Sequence, residues 1–384
     1  MRAPDSRSEL NASAGDHISP LDPLGADSGL AQLPAWNESR DVNAIAAALA
    51  DLVPAEAKAQ ALGPFEACAA VRDLGMLLGS LKRHGVEPAE AVPSVVPALL
   101  TLGRVCGMVP RDTVYHYGPW NPAGVRQRRF TRDPNEDGLI HCVRAAAPGV
   151  EACIRALVDA QACEPDTALF AERCRHAARS AMAMVDSINF ARMKVDVMFF
   201  ARVLRPYFEA VTIDGKSYMG PAAAHLPLSL VDHLTWGSDC TDATYRLFQE
   251  DATHYTVQCW RDLSRTAASG PSLVTRVIQA LNTSAPGDPG LTKGAVAVYA
   301  ILRVLLAFRG RHKVMADKAY EPQVRLYPVG SGGFSTDVVT RILEVTLSRT
   351  RELKLAVKGR RNSSLHPPSD IAALLASRGA TSSG

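Results

Sequence analysis

No CxxC pair occurs among the eight cysteines, which stand singly at positions 68, 106, 142, 153, 163, 174, 240 and 259. Structural zinc and iron–sulfur clusters need closely spaced thiolates, so both are excluded. The missing CxxCH excludes the usual covalent attachment of haem. Scattered cysteines on apolar helical faces read as reduced, buried small hydrophobes, which suits the cytoplasm. The N-terminal Met1-Arg-Ala-Pro-Asp-Ser-Arg lacks the apolar core of a secretory signal. The most apolar stretch, 294–308, is broken by Arg303 and falls short of the roughly 20 residues a bilayer requires, so it reads as a buried core helix. Nor is there a surplus of charge: 42 basic against 39 acidic residues give a net charge of +3. That balance offers nothing to nucleic acid or to an anionic membrane surface. Alternating apolar–polar runs between turn residues are nearly absent, as is any repeat of solenoid length.

What is present is helical periodicity. The 384 residues, 47% hydrophobic and 21% charged, suffice for one large domain or two small ones, with a core able to enclose a sizeable cofactor. Residues 1–35, rich in Ser, Asp, Gly and Pro, read as a mobile arm, and 359–384 as a flexible tail. Between them, 36–358 reads as an all-α domain, and the pattern accommodates a small N-terminal helical subdomain over 36–125. Apolar residues three and four apart mark Phe65–Arg83, ending at Gly85, and a stretch near Ala91–Val105 interrupted by Pro97. Further helices are expected over Asp166–Asn189, Phe199–Phe208, Leu226–Trp236, Thr241–Leu263, Leu291–Tyr320 and Thr336–Leu355. Three interruptions are candidate functional loops: Trp120-Asn-Pro-Ala-Gly, the segment 214–221, and Val329-Gly-Ser-Gly-Gly-Phe334.

In the longest helical stretch, Leu305, Phe308, His312, Ala316 and Ala319/Tyr320 share one face. A neutral imidazole on an apolar face beside a small residue suits axial ligation of haem iron. Arg309, on the neighbouring stripe, suits a propionate. On periodicity alone, a single histidine on an apolar helix face is more often a hydrogen-bonded core residue. The Gly-rich element downstream is likewise either an anion nest or a simple turn.

Taken together these pieces are far more specific. Leu306-Ala-Phe-Arg-Gly-Arg-His312, then Tyr320, then Gly330-Ser-Gly-Gly333 before a closing helix, resembles the C-terminal half of the indoleamine 2,3-dioxygenases. The resemblance implies an all-α bundle enclosing haem, with His312 as the proximal iron ligand. Ser331 stands where those enzymes carry a Thr, in a loop that closes over the substrate with Gly332 and Gly333. Phe199-Phe-Ala-Arg-Val-Leu-Arg205-Pro-Tyr207 resembles the stretch that contacts the substrate, which gives Phe200 the indole and Arg205 the carboxylate. Val114-Tyr115 resembles the distal wall, so Tyr115 is expected at the substrate. Asp232 matches an acid that pairs with Arg309 at the haem edge.

Ser80-Leu-Lys-Arg-His-Gly85, Glu87-Pro-Ala-Glu, Trp120-Asn-Pro, Ser217-Tyr-Met-Gly-Pro221, His233 with Trp236-Gly-Ser238, and Thr244-Tyr-Arg with Phe248 are similar to the monodechloroaminopyrrolnitrin synthase family. This likeness spans roughly residues 20–355. It departs at Phe334-Ser335, where the family has a Tyr, and at His116-Tyr117 before Trp120. Related tyrosine hydroxylases tether haem through a Cys four residues after the ligand; Ala316 stands there, so a non-covalent haem b is implied.

The implied chemistry is oxidative rearrangement of a tryptophan derivative, 7-chloro-L-tryptophan in the family. Dioxygen or peroxide serves as oxidant, with an electron donor, and Tyr320 and Ser331 sit near the reacting amine. Two alternatives stand beside it: an oxygenase that hydroxylates or ring-cleaves another aromatic substrate, and a haem-binding helical protein without turnover. His84, His116, His225 and His233 are further candidates for a distal group.

Overall fold

The computed structural model describes residues 11–222, 225–267, 270–330, 332–359 and 365–380. Helices dominate. Those used below are α1 (Asp27–Ser39), α2 (Val42–Leu52), α3 (Pro64–Arg83), α4 (Val95–Cys106), α5 (Pro134–Gln161), α6 (Ala168–Lys194), α7 (Leu228–Asp232), α8 (Ala243–His254), α9 (Leu273–Thr283), α10 (Pro289–Ala319), α11 (Thr336–Lys358) and α12 (Ser369–Ala380). A hairpin of β1 (Val211–Ile213) and β2 (Lys216–Tyr218) is the only sheet among the described residues. Its two-residue turn, Asp214-Gly215, takes positive φ at both positions, the conformation that matches strand twist in tight hairpins.

The bundle is organised around α5, α6, α10 and α11, which pack successively on one another. Local chemistry fixes where each begins. Asp133 accepts from the Asn135 N–H at 2.9 Å and Pro134 occupies the first turn of α5. Thr167 caps α6 through the Phe170 N–H, and Asp288 caps α10 through the Gly290 and Leu291 N–H groups. At the α5–α6 crossing, a Cβ on Gly149 would lie 2.3 Å from Ala183 Cβ, so only glycine lets the helices come this close. Helix α10 is long and apolar enough to cross a bilayer, yet it runs through the core, with Leu291, Ala295, Val298, Ile301, Leu302 and Leu305 buried.

Several boundaries differ from expectation. The arm expected over 1–35 is folded from residue 11 onward: Ile18, Ala26, Leu30 and Leu33 are buried, and α1 packs on α2 and α3. Residues 1–10 lie outside the described residues. Arg72 holds this region down, donating to the carbonyls of Ile18, Leu21 and Trp120 while pairing with Asp73. The expected tail likewise contains α12. This helix lies on α6 and α10 with Ile371 fully buried and Arg378 paired to Asp186. Both terminal segments look polar because few apolar side chains suffice to dock one helix on an existing core. Buried residues of the N-terminal helices and of the later bundle belong to one hydrophobic cluster.

Helix α5 was not expected at all. Gly138 and the Pro148-Gly149 pair break its sequence pattern, yet tertiary packing carries it through 28 residues. The Phe199–Phe208 and Leu226–Trp236 stretches depart from regular α geometry, with π turns at Phe200–Leu204 and His233–Gly237. π turns concentrate at functional sites; the first contributes Phe200 to the cavity described next, and the second follows directly on Asp232, which pairs with the cavity-lining Arg309.

Candidate active site

Helices α5, α6, α10 and α11 enclose a cavity of about 300 Å³ that is lined mainly by apolar side chains. Val143, Ala146 and Val150 of α5 face it, as do Met184, Ile188 and Ala191 of α6. The end of α10 contributes Phe308, Arg309, His312, Met315 and Ala316, Tyr320 follows directly after it, and α11 adds Val338 and Ile342.

His312 is half-buried because its ring faces the cavity instead of packed atoms. It stacks on Phe308 at 5.7 Å with the planes 10° apart. Neither ring nitrogen has a hydrogen-bond partner among the described residues. Burial, with Arg309 adding to it, lowers its pKa to about 4, so the imidazole is neutral at physiological pH. A neutral imidazole with a ring nitrogen free to face an apolar cavity has the chemistry of an axial haem ligand. Ala316 and Ala319 keep the adjacent wall thin. These residues fit a haem.

At the cavity edge, the Arg309 guanidinium donates to the Asp232 carboxylate, and both side chains are buried. Burial raises the Asp232 pKa to about 6 against the pull of Arg309. Arg309 Nε remains without a partner. A buried guanidinium with an unpartnered N–H suits an anionic group.

The cavity lining also includes Phe200, Tyr320, Gly330, Gly332 and Phe334. The Gly330 N–H donates to the Phe334 carbonyl at 2.7 Å and the Gly333 N–H to the Gly330 carbonyl at 2.9 Å, so the loop closes on itself as a turn. Gly333 has φ of +83°, which this turn requires. Arg205 lies one layer behind, 4% exposed, with Nη2 donating to the Gly330 carbonyl at 3.1 Å. Its Nε and Nη1 are buried without partners. Burial raises the Tyr320 pKa although Arg205 beside it pulls the other way, so the phenol keeps its proton at neutral pH.

Residues 28–366 match the family model of monodechloroaminopyrrolnitrin synthase PrnB. The chain belongs to the monodechloroaminopyrrolnitrin synthase family. As a member of this family of haem-dependent, tryptophan-related oxidative enzymes, it is an oxygenase-like oxidoreductase that takes a small-molecule substrate and oxygen.

Within this synthase-family site, the structure brings together His312, Arg309, Asp232, Tyr320, Phe200 and Gly332, with Arg205 and Gly333 immediately behind. Ser331 lies outside the described residues. Tyr115 does not join them. It is fully buried behind the wall, tilted against Trp120 at 5.1 Å, with its hydroxyl donating to Glu151 at 3.4 Å. A four-residue helix, Val114–Tyr117, presents alternate sides, so Val114 and Tyr117 face the cavity in its place.

None of the other candidate histidines lines the cavity. His116 accepts from the Thr113 N–H at 3.0 Å as part of a helix cap, and His225 stacks on Tyr255 at 4.1 Å. The Trp120 loop is structural: its indole N–H donates to the Asn11 carbonyl at 2.9 Å, while Asn121 bonds Tyr117 and Arg128. Sequence reasoning missed Tyr117, Phe208, Leu226 and Ser229. No local motif marks them: the irregular stretches at 199–208 and 226–237 decide which of their side chains face inward, and Tyr117 sits on a four-residue helix without a readable periodicity.

Proposed function

We propose that this enzyme binds haem b without a covalent link, through His312, and catalyses the oxidative rearrangement of a tryptophan derivative. The reaction is of the 7-chloro-L-tryptophan to monodechloroaminopyrrolnitrin type, a step of antibiotic biosynthesis in the cytoplasm. The observation that carries this reading is the neutral, unpartnered imidazole of His312 opening into an apolar cavity within a synthase-family chain.

Arg309, held by Asp232, anchors the cofactor edge. When bound, haem supplies the iron at which the oxidant is activated for attack on the indole C2–C3 bond. The chain's own residues set the pose. Phe200 and the neighbouring apolar wall take the indole, and Arg205 takes the carboxylate with the N–H groups it has spare. Tyr320, protonated, holds the amine side together with Ser331 and the Gly332 backbone. Fixing the amine close to indole C2 favours its migration over simple ring cleavage, since reaction follows the geometry already present in the bound state. The apolar lining keeps water from competing.

The purified, haem-loaded protein is expected to show a Soret band that His312→Ala loses or shifts. Full retention of an unchanged band in that variant refutes the ligand assignment. Incubation with 7-chloro-L-tryptophan or L-tryptophan, reductant and oxygen is followed by mass spectrometry. Loss of carbon dioxide with net oxidation supports rearrangement. Gain of two oxygens identifies ring cleavage, gain of one identifies hydroxylation, and a colourless protein after haem is supplied ends all three readings.

A further inference from the structure

We propose that Tyr327 is a positioning residue for carboxylate recognition, holding the Arg205 guanidinium over its ring while Glu209 pins its hydroxyl. The inference rests on Arg205 taking the substrate carboxylate.

Arg205 is a buried cation whose Nη2 donates to the Gly330 carbonyl at 3.1 Å. Two of its nitrogens, Nε and Nη1, have no partner, and a void of about 10 Å³ lies between Arg205, Phe200, Tyr320 and Tyr327. That space is on the order of one water-sized probe sphere, enough for a single oxygen atom. A guanidinium in this state needs something to fix its plane, because its side chain alone has many rotamers. The Tyr327 ring supplies it: Arg205 Cζ sits 4.6 Å from the ring centroid. The Tyr327 hydroxyl in turn donates to the Glu209 carboxylate, four residues after Arg205 on the same irregular turn. Hydrogen bonding to a carboxylate draws electron density into the phenol and strengthens the attraction of the ring face for a cation.

One loop therefore fixes the guanidinium twice, by its face through Tyr327 and by its edge through Gly330. The same loop carries Tyr320, which faces the cavity. Arg202 ties the loop down from the other side, its Nε donating to the Val324 carbonyl at 3.0 Å. Carboxylate binding and the placement of Tyr320 thus depend on one segment.

The test compares dissociation constants of the haem-loaded enzyme for L-tryptophan and for tryptamine, which lacks the carboxylate. Tyr327→Leu is expected to weaken L-tryptophan about tenfold, equivalent to about 1.4 kcal/mol, while leaving tryptamine within about twofold. With substrate, KM rises more than kcat falls. Tyr327→Phe keeps the ring face and loses only the anchor, so it is expected to weaken L-tryptophan by about threefold and tryptamine not at all. Arg205→Gln should abolish the preference for L-tryptophan over tryptamine. If Arg205→Gln does so but neither Tyr327 variant changes the ratio, or both ligands weaken equally, Tyr327 is not a positioning residue and the carboxylate role of Arg205 stands. If Arg205→Gln leaves the ratio unchanged, the carboxylate reading fails and this proposal with it. Tyr327→Phe carries the test alone should Tyr327→Leu not fold.

Discussion

Gly149 offers the sharpest test of how the cavity is built, since α5 and α6 form two of its walls and meet there. A methyl at this position would stand 2.3 Å from Ala183 Cβ and 2.9 Å from the Ser180 carbonyl oxygen. Ordinary carbon–carbon contact is nearer 4 Å, so the helices must part by more than an ångström or shift along each other. Forcing one methylene-sized group into such a contact costs about 3 kcal/mol, the upper end of overpacking because backbone is involved. Alanine in place of helical glycine returns about 1 kcal/mol of propensity. Gly149→Ala is therefore expected to destabilise by about 2 kcal/mol, read as a lower urea midpoint with an unchanged slope. Haem affinity should fall with it, because Val143, Ala146 and Val150 move as one wall. Adding Ala183→Gly removes the blocking Cβ, and the double variant should return to within about 1 kcal/mol of the parent, the residue being the Ser180 contact. A single variant as stable as the parent, or a double variant no better than the single, refutes the close-crossing argument.

Three further outcomes follow from buried groups. His225 is buried with both ring nitrogens unpartnered, and burial lowers its pKa to about 3. The unfolded chain takes up its proton near pH 6.5 and the folded one does not, so stability is lost as pH falls below 6.5. His225→Phe should flatten the stability–pH slope between pH 6.5 and 4 by about 1.4 kcal/mol per pH unit, measured by urea denaturation; an unchanged slope refutes the buried neutral state. Glu136 accepts from the Phe130 and Thr131 N–H groups, the Thr131 hydroxyl and the Tyr117 hydroxyl, at 2.7–3.1 Å. Glu136→Gln turns an amide N–H₂ toward two of those donors and should cost about 2–3 kcal/mol while loosening Tyr117 at the cavity wall, measured by denaturation and cofactor affinity. Ending the chain after Pro368 removes fully buried Ile371 and the Arg378–Asp186 pair, and should lower stability by about 2–3 kcal/mol, seen as a lower melting temperature.

Helical periodicity was enough to place α3, α6, α10 and α11, because each carries an uninterrupted apolar stripe and a capping residue. It placed His312 on the apolar face of α10 for the same reason: spacing along one helix is fixed by 3.6 residues per turn. The Arg309–Asp232 pair and the neighbourhood of Phe200, Tyr320 and Gly332 were reached through motif resemblance, whose spacing survives because those residues share one cavity. Tyr115 was assigned on the same grounds and misassigned, since a four-residue helix gives no periodicity by which to tell its two sides apart.

Only the tertiary structure decided the rest. Helix α5 exists because packing on α6 outweighs its internal Gly and Pro, and the terminal helices are held by a few apolar contacts and ion pairs that composition averages away. Which side chains of the π turns look inward, and that Tyr327 lies under Arg205 from more than a hundred residues along the chain, are matters of contact between distant segments. The sequence by itself determined the regularly patterned helices and put His312 and Arg309 on one of them, because these follow from local geometry. The shape of the cavity, and which groups close it, required the chain to be folded.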